Sequence, residues 1–266
     1  MNNRSFLKNL LLIWLAATPA WLPAQEEKEP GDEKLLELYD GLRVADVSDG
    51  MDMVGLRDAG LMNQALVPLW KDVQTMDHLI RGIAVTARYV PTNRVVENPM
   101  DPVAFKKWEG NWYNTISPET WVDELREGSV VVLDVSGDGD VGSVGSFNSM
   151  LYIEKGAVGV VSNGGIRDTD EIIKQRIPVY LDMKNRGRGI RPGRNELESY
   201  NQPVTVGGVL VNPGDVIVAD GDGVICVPRE YAERVAVFAH AILKKDKEAR
   251  RRMYEILGIE PDQTVE

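Results

Sequence analysis

The stretch that most constrains this chain covers residues 156–180, GAVGVVSNGGIRDTDEIIKQRIPVY. The β-branched run Ala157–Ser162 predicts a buried strand, and the glycines after Asn163 let the chain reverse. Ile166-Arg167-Asp168 comes next, then a helix-like run over 169–176, and Pro178 opens another strand. A strand, a charged turn and a helix in that order predict an α/β fold, where ligands gather outside the carboxyl ends of strands. Two readings of the charged pair stand side by side. Asp168 with Glu171 three residues later fits a capping-box-like helix start, the carboxylate satisfying free backbone N–H groups. The other reading gives the cation and carboxylate a chemical role.

Composition narrows the classes. With 266 residues, 43% of them hydrophobic, the chain can bury a full core and is not a disordered one. A formal charge of −11 argues against holding nucleic acid phosphates, so no nucleic acid partner is expected. One cysteine, Cys226, excludes an internal disulfide and a cysteine zinc site, and its VICVP setting predicts a buried, inert thiol. His78 and His240 are far apart and lack metal-ligand spacing.

The first 24 residues have the layout of a secretory signal. Arg4 and Lys8 precede the apolar run LLLIWLAA, and Leu22-Pro23-Ala24 gives a small-residue exit before an acidic stretch. Residues 1–24 are therefore expected to be cleaved, leaving a periplasmic or secreted protein with no stable membrane insertion. An uncleaved N-terminal anchor is the alternative. A charged linker over 25–33, one domain over 34–258 and a tail over 259–266 complete the expected organisation.

Leu35, Leu36, Leu38, Tyr39 and Leu42 predict a first helix. ADVSDG (45–50) reads as a tight turn into another, with Ser48 or Asp49 as its N-cap. Strands are expected over 82–90, 129–135, 204–211, 216–219 and 224–227, the last two joined by a DGDG hairpin turn. Residues 91–118, with Trp108, Trp112 and Tyr113, show little periodicity and read as an excursion whose aromatics pack on the domain or line a pocket. After Pro228 an amphipathic helix ends in the basic cluster 244–252, read as a solvated face.

The glycine-rich loop GDGDVG (137–142) follows a strand as a dinucleotide motif does, but Asp138 and Asp140 would repel a pyrophosphate and no acid ends the next strand. A calcium loop fails because its closing glutamate position is Gly145. What survives is a helix opening at Gly145, Ser146, Phe147 and Asn148, whose amides suit a carboxylate or phosphate.

ADVSDGM (45–51), GIAVTARYV (82–90), the glycine-rich loop, GAVGVVSNGGIRDTDEI (156–172) and PVTVGGVLVNPGDVIVADGDGVICVP (203–228) together resemble the RraA-like family. That family includes 4-hydroxy-4-methyl-2-oxoglutarate aldolases, oxaloacetate decarboxylases and a regulator of ribonuclease activity. The resemblance implies an αββα-type swivelling β/β/α domain assembled as a homotrimer or dimer of trimers, with sites between subunits. It implies that Asp168 holds a divalent metal, Mg2+ or another such as Mn2+. Arg167 would contact a small-molecule 2-oxo acid, and Gly145, Ser146, Phe147 and Asn148 would grip its carboxylate. Arg167 and Asp168 are then the catalytic pair of a carbon–carbon lyase, the metal acting as Lewis acid on an enolate. One position departs from the pattern. Ser146 stands where active aldolases carry an aspartate, so proton transfer needs Asp140 or Asp170, or the activity differs. A binding or regulatory protein that kept the fold is the alternative.

Overall fold

The computed structural model describes residues 31–266 apart from 97–99, 136 and 138. The expected signal segment lies outside the described residues, as do most of the linker and Asp138 of the glycine-rich loop. α1 (Asp32–Tyr39) opens inside the expected linker. Asp32 is held there by Arg126 and by Arg229 Nη1, the latter at 2.8 Å.

α2 spans Val44–Met53, so ADVSDG is helix and not a turn. The reason is tertiary. Gly50 meets α6 (Ala232–Leu257) so closely that an added Cβ would stand 2.8 Å from the Val235 carbonyl oxygen. The Val44 N–H that opens the helix donates to Asp220 at 2.8 Å. Packing overrides the turn propensity of Ser, Asp and Gly.

The remaining strands are β1 (Leu66–Pro68), β2 (Ile80–Pro91), β3 (Ser129–Asp134), β4 (Ala157–Ser162), β5 (Val179–Asp182), β6 (Asn195–Tyr200), β7 (Val204–Val206), β8 (Val209–Val211), β9 (Val216–Asp220) and β10 (Gly223–Val227). The main sheet runs β1-β5-β4-β3-β2-β9-β10, with β2, β3, β4 and β5 parallel. The long β2 pairs β9 through its first residues and β6 through its last. The two sheet ends curl together, where Met62 N–H donates to the Val224 carbonyl at 3.0 Å. A near-barrel results.

Alternation decides what faces where. Val130 and Val132 of β3, Ala84 of β2, Ile217 and Ala219 of β9 and Cys226 of β10 point inward, where β7 and β8 plug the interior with Val204, Val206, Val209 and Val211. Here 204–211 is a hairpin turning at Gly207-Gly208, not one strand. Residues one register over point out. Ile83, Val216, Val218, Ile225 and Val227 pack under α1, α2 and α6. Val85, Val131, Leu133, Val160 and Leu181 pack toward Trp121, Tyr152 and Ile172, the last two on α4 (Ser146–Glu154) and α5 (Thr169–Lys174). Because both faces are covered, these strands read as continuous apolar runs.

The excursion contains α3 (Pro102–Thr115), capped by Asp101, which accepts from the Val103 and Ala104 N–H groups. It buries little beyond Trp112, whose Nε1 donates to the Asn195 carbonyl at 2.9 Å. Cys226 is buried, and burial pushes its thiol well up, as expected for an inert group. The C-terminal residues fold back on α6: Val265 is buried, and Arg251 holds its carbonyl. No helix among the described residues is long and apolar enough to cross a membrane.

Candidate functional site

The turn after β4 does not end at the strand mouth. Gly164-Gly165 carries the chain under the glycine-rich loop, where Val144 bridges Ile166 as a short parallel pair. Arg167 N–H donates to the Val144 carbonyl, and Val144 N–H to the Gly165 carbonyl, both at 2.9 Å. This laces 141–145 to 165–168 and sets Arg167 and Asp168 against the start of α4.

The loop glycines are needed for that approach. A Cβ on Gly142 would lie 2.6 Å from Arg167 Cδ, and one on Gly145 would lie 2.5 Å from Asp168 Oδ2. Arg167 crosses one bare backbone and Asp168 the next.

Asp168 precedes α5 in the left-handed region, φ 54°, and its side chain makes no capping hydrogen bond to that helix. The capping reading fails for α5. Its carboxylate instead reaches 22 residues upstream, accepting the Ser146 N–H at Oδ2, 3.1 Å away. It thereby serves the N-terminus of α4, where negative charge is favoured. A non-glycine residue at positive φ costs on the order of 1–2 kcal/mol, and this one aims the carboxylate across the gap.

The other oxygen, Oδ1, lies 3.9 Å from Arg167 Nε, with the side chains 40% and 34% exposed. Arg167 Nε is itself shielded from solvent and has no hydrogen-bond partner among the described residues. An unmade bond of that kind costs about 1–3 kcal/mol. The pair is open.

Gly145, Ser146, Phe147 and Asn148 do open α4, as the sequence predicts. Phe147 is exposed, Asn148 Oδ1 accepts the Gly145 N–H at 3.3 Å, and the Ser146 amide is already taken by Asp168. Of the proposed proton carriers, Asp140 is bound by Arg188 through Nε at 2.8 Å and Nη2 at 2.5 Å. That hydrogen-bonded guanidinium holds the Asp140 carboxyl below the usual carboxylate range, against a proton-donor role at neutral pH. Asp170 is exposed in the first turn of α5.

Beneath α4 lies a network that sequence reasoning missed. Glu119 accepts from Tyr152 OH at 2.6 Å and from Asn148 Nδ2 at 2.7 Å, and Arg191 Nη1 stands 3.3 Å away. Arg191 is 5% exposed and stacks over Tyr89 and Tyr113. Burial acts to lower its pKa, but Glu119 and the surrounding tyrosines hold it above the usual guanidinium value. Trp121 Nε1 donates to Tyr89 OH at 2.9 Å, tying the network to the core. The only sequence signal was a Glu and an Arg in weakly patterned segments 72 residues apart.

A separate cleft of about 480 Å³ does sit outside β3, β4 and β5, between Val135, Asn163, Asp182, Asn185 and the Gly207-Gly208 turn. Arg167 and Asp168 do not line it, because the double-glycine turn has carried them aside. Among the described residues no three His, Cys, Asp or Glu side chains group closely enough to hold a metal ion. Asp168 therefore offers one carboxylate, which suits a hard cation that keeps waters and takes its other oxygens elsewhere.

The fold is a curled α/β domain whose glycine-rich loop lies against an open Arg–Asp pair at a helix start. The chain belongs to the RraA-like family, Aldolase/RraA, whose pattern matches residues 44–226. It is 26% identical to protein DlpA of Legionella pneumophila over 203 residues, 76% of this chain and 28% of that protein. It is 34% identical to the 4-hydroxy-4-methyl-2-oxoglutarate aldolase of Thermus thermophilus over 107 residues, 40% of this chain and 63% of the enzyme. In both cases the chain spans less than two thirds of the relative. The fold matches Streptomyces coelicolor RraAS2, described as an unusual member of the RNase ES inhibitor RraA protein family. There the TM-score is 0.65 at 22% identity, covering 84% of this chain and 98% of that one.

Proposed function

We propose that this protein is a divalent-metal-dependent carbon–carbon lyase, of aldolase or decarboxylase type, acting on a small 2-oxo acid or sugar-acid derivative. The observation that carries the reading is the open pair itself: Arg167 Nε without a partner beside a half-exposed Asp168 anchored to the α4 amide. Asp168 would hold Mg2+ or Mn2+ through Oδ1, the oxygen its hydrogen bond leaves available. When bound, such an ion polarises a keto oxygen as a Lewis acid. Arg167 would bind the substrate carboxylate and offset negative charge growing at the reacting carbon. The first-turn amides of α4 beyond Ser146 would orient the acid.

Family membership supports the swivelling β/β/α description and assembly into trimers with sites between subunits. The single carboxylate at Asp168 and the exposed Phe147, Met150 and Ile153 on α4 favour a site completed by a neighbouring copy. Export to the periplasm or outside the cell is proposed on residues 1–24 alone, with cleavage after Ala24 and the domain organisation given above.

A binding or regulatory protein on the same fold is the second reading, and Ser146 favours it. A serine supplies no negative charge and is a weak base where the aldolases carry a carboxylate. Magnesium-dependent pyruvate release from a panel of 2-oxo acids decides between the two. The lyase reading expects release that falls at least ~100-fold in Asp168→Ala. Release that persists in that variant overturns the site assignment, and no release from any candidate acid favours the binding protein.

A further inference from the structure

At the opposite end of the parallel strands lies a second cleft, of about 520 Å³, between the start of β2, the β9–β10 turn and the C-terminal residues. Its size is that of a small-molecule pocket. In a protein of net charge −11 its lining is anomalous, since Arg43, Lys71, Arg81, Lys247 and Arg250 all border it against two carboxylates, Asp220 and Asp222.

The cations divide into two kinds. Arg43 and Arg250 are spent on one another's neighbour, both reaching Asp246, at 2.7 and 3.0 Å, with Arg43 also on Asp46. Lys71 and Arg81 have no ion-pair partner among the described residues. Lys71 Nζ meets only the Gly221 carbonyl, at 2.9 Å, while Lys247 Nζ is engaged by a main-chain oxygen of Glu266, the last residue of the sequence, also at 2.9 Å. Arg81 gives its Nε to the Leu42 carbonyl at 2.6 Å, which leaves the two outer nitrogens of its fork for the cleft. Burial holds its pKa below the usual guanidinium value, even with Asp40, Asp220 and Asp46 in its surroundings. Asp220 is already answered, accepting the Val44 and Asp222 N–H groups at 2.8 Å each. Apolar wall comes from Val73, Leu79 and Leu243, and Gln263 pins the C-terminal segment across one side by donating to the Gln74 carbonyl at 2.9 Å.

A guanidinium fork beside one uncommitted ammonium group, with a second at the rim, is the chemistry that grips an oxyanion. We propose that this cleft binds a small oxyanion, carboxylate or phosphate, carried on a short apolar body, at a site distinct from Arg167 and Asp168. The inference does not depend on the lyase reading.

Isothermal titration of the full chain with inorganic phosphate and, separately, with succinate, at ionic strength matched by chloride, tests it. Saturable binding of at least one probe that persists in Arg167→Gln is expected, and the pair of arms tells phosphate from carboxylate. The double variant Lys71→Gln/Lys247→Gln should weaken it at least tenfold, and Arg81→Lys several-fold by losing the fork. Lys106→Gln on α3 and Asp168→Ala should leave it unchanged. If Arg81→Lys fails to fold, the double lysine variant, whose side chains sit at the rim, decides alone. The proposal is overturned by the absence of saturable heat with either probe at concentrations on the order of 10 mM. Equal affinity in the double variant, or loss of binding in Asp168→Ala, overturns it as well.

Discussion

Two arginine–carboxylate pairs flank α4, and they are built in opposite ways. Arg191 is buried and Glu119 mostly so, 3.3 Å apart, and the pair is surrounded by Tyr152, Asn148 and the stacked tyrosines. Arg167 and Asp168 are half-exposed, 3.9 Å apart, and leave a shielded guanidinium nitrogen unanswered. A buried pair with every partner present fixes one geometry, here the roll of α4 and the position of Asn148. An open pair held in place by the backbone keeps its hydrogen-bonding capacity for something else. The first is scaffold, and the second is the site proposed here.

The largest effect that would sharpen this contrast is on the scaffold pair. Arg191→Met leaves a mostly buried Glu119 without its cation and should cost about 2–4 kcal/mol of stability, read from urea unfolding. A loss below about 1 kcal/mol would break the contrast by showing the pair to be as loosely coupled as a surface one.

Alkali gives the next largest effect. Burial, with Glu119 adding to it, pushes Tyr89 up to about 12, and Tyr152 well above the usual phenol value. A folded-state pKa raised in this way gives stability that is intact below the unfolded value of about 10 and lost as pH climbs through the folded one. From Tyr89 the loss should be about 2 kcal/mol by pH 12 and approach its full value only above it. Tyr152→Phe should flatten the alkaline limb of a melting curve against pH. If it leaves that limb unchanged, the network is not what titrates.

Gly145→Ala acts on the site instead. The added methyl would press on Asp168 Oδ2, forcing a shift that costs about 1–3 kcal/mol in thermal unfolding and loosens the carboxylate from the Ser146 amide. A neutral result would mean that Asp168 is not held as described.

What was legible in the chain follows from how local each cause is. β3, β4 and the β9–β10 hairpin could be read because strands covered on both faces carry uninterrupted apolar residues and a two-residue Gly221-Asp222 turn joins the last pair. α3 could not, since one aromatic face and a buried Trp112 leave little period to detect. β6 was missed because NELESY is mostly half-exposed and pairs only with the far end of β2. In ADVSDG the local turn signal was outweighed by the fit of Gly50 against α6, a contact nearly 190 residues away. The Arg167–Asp168 pair and the α4 start were visible as motifs, but the bond that joins them spans 22 residues, and local spacing pointed Asp168 at the wrong helix. The Glu119–Arg191 pair leaves no local trace at all.

The claim that the open pair is a metal and acid site is tested most directly by Mn2+ binding, followed through water-proton relaxation with pyruvate present, in the wild-type chain and in Asp168→Asn. Saturable binding in the wild type, lost in the variant while its melting temperature moves by only a few degrees (about 1 kcal/mol, the worth of a helix cap), is the predicted result. Equal Mn2+ binding by the two proteins would contradict it.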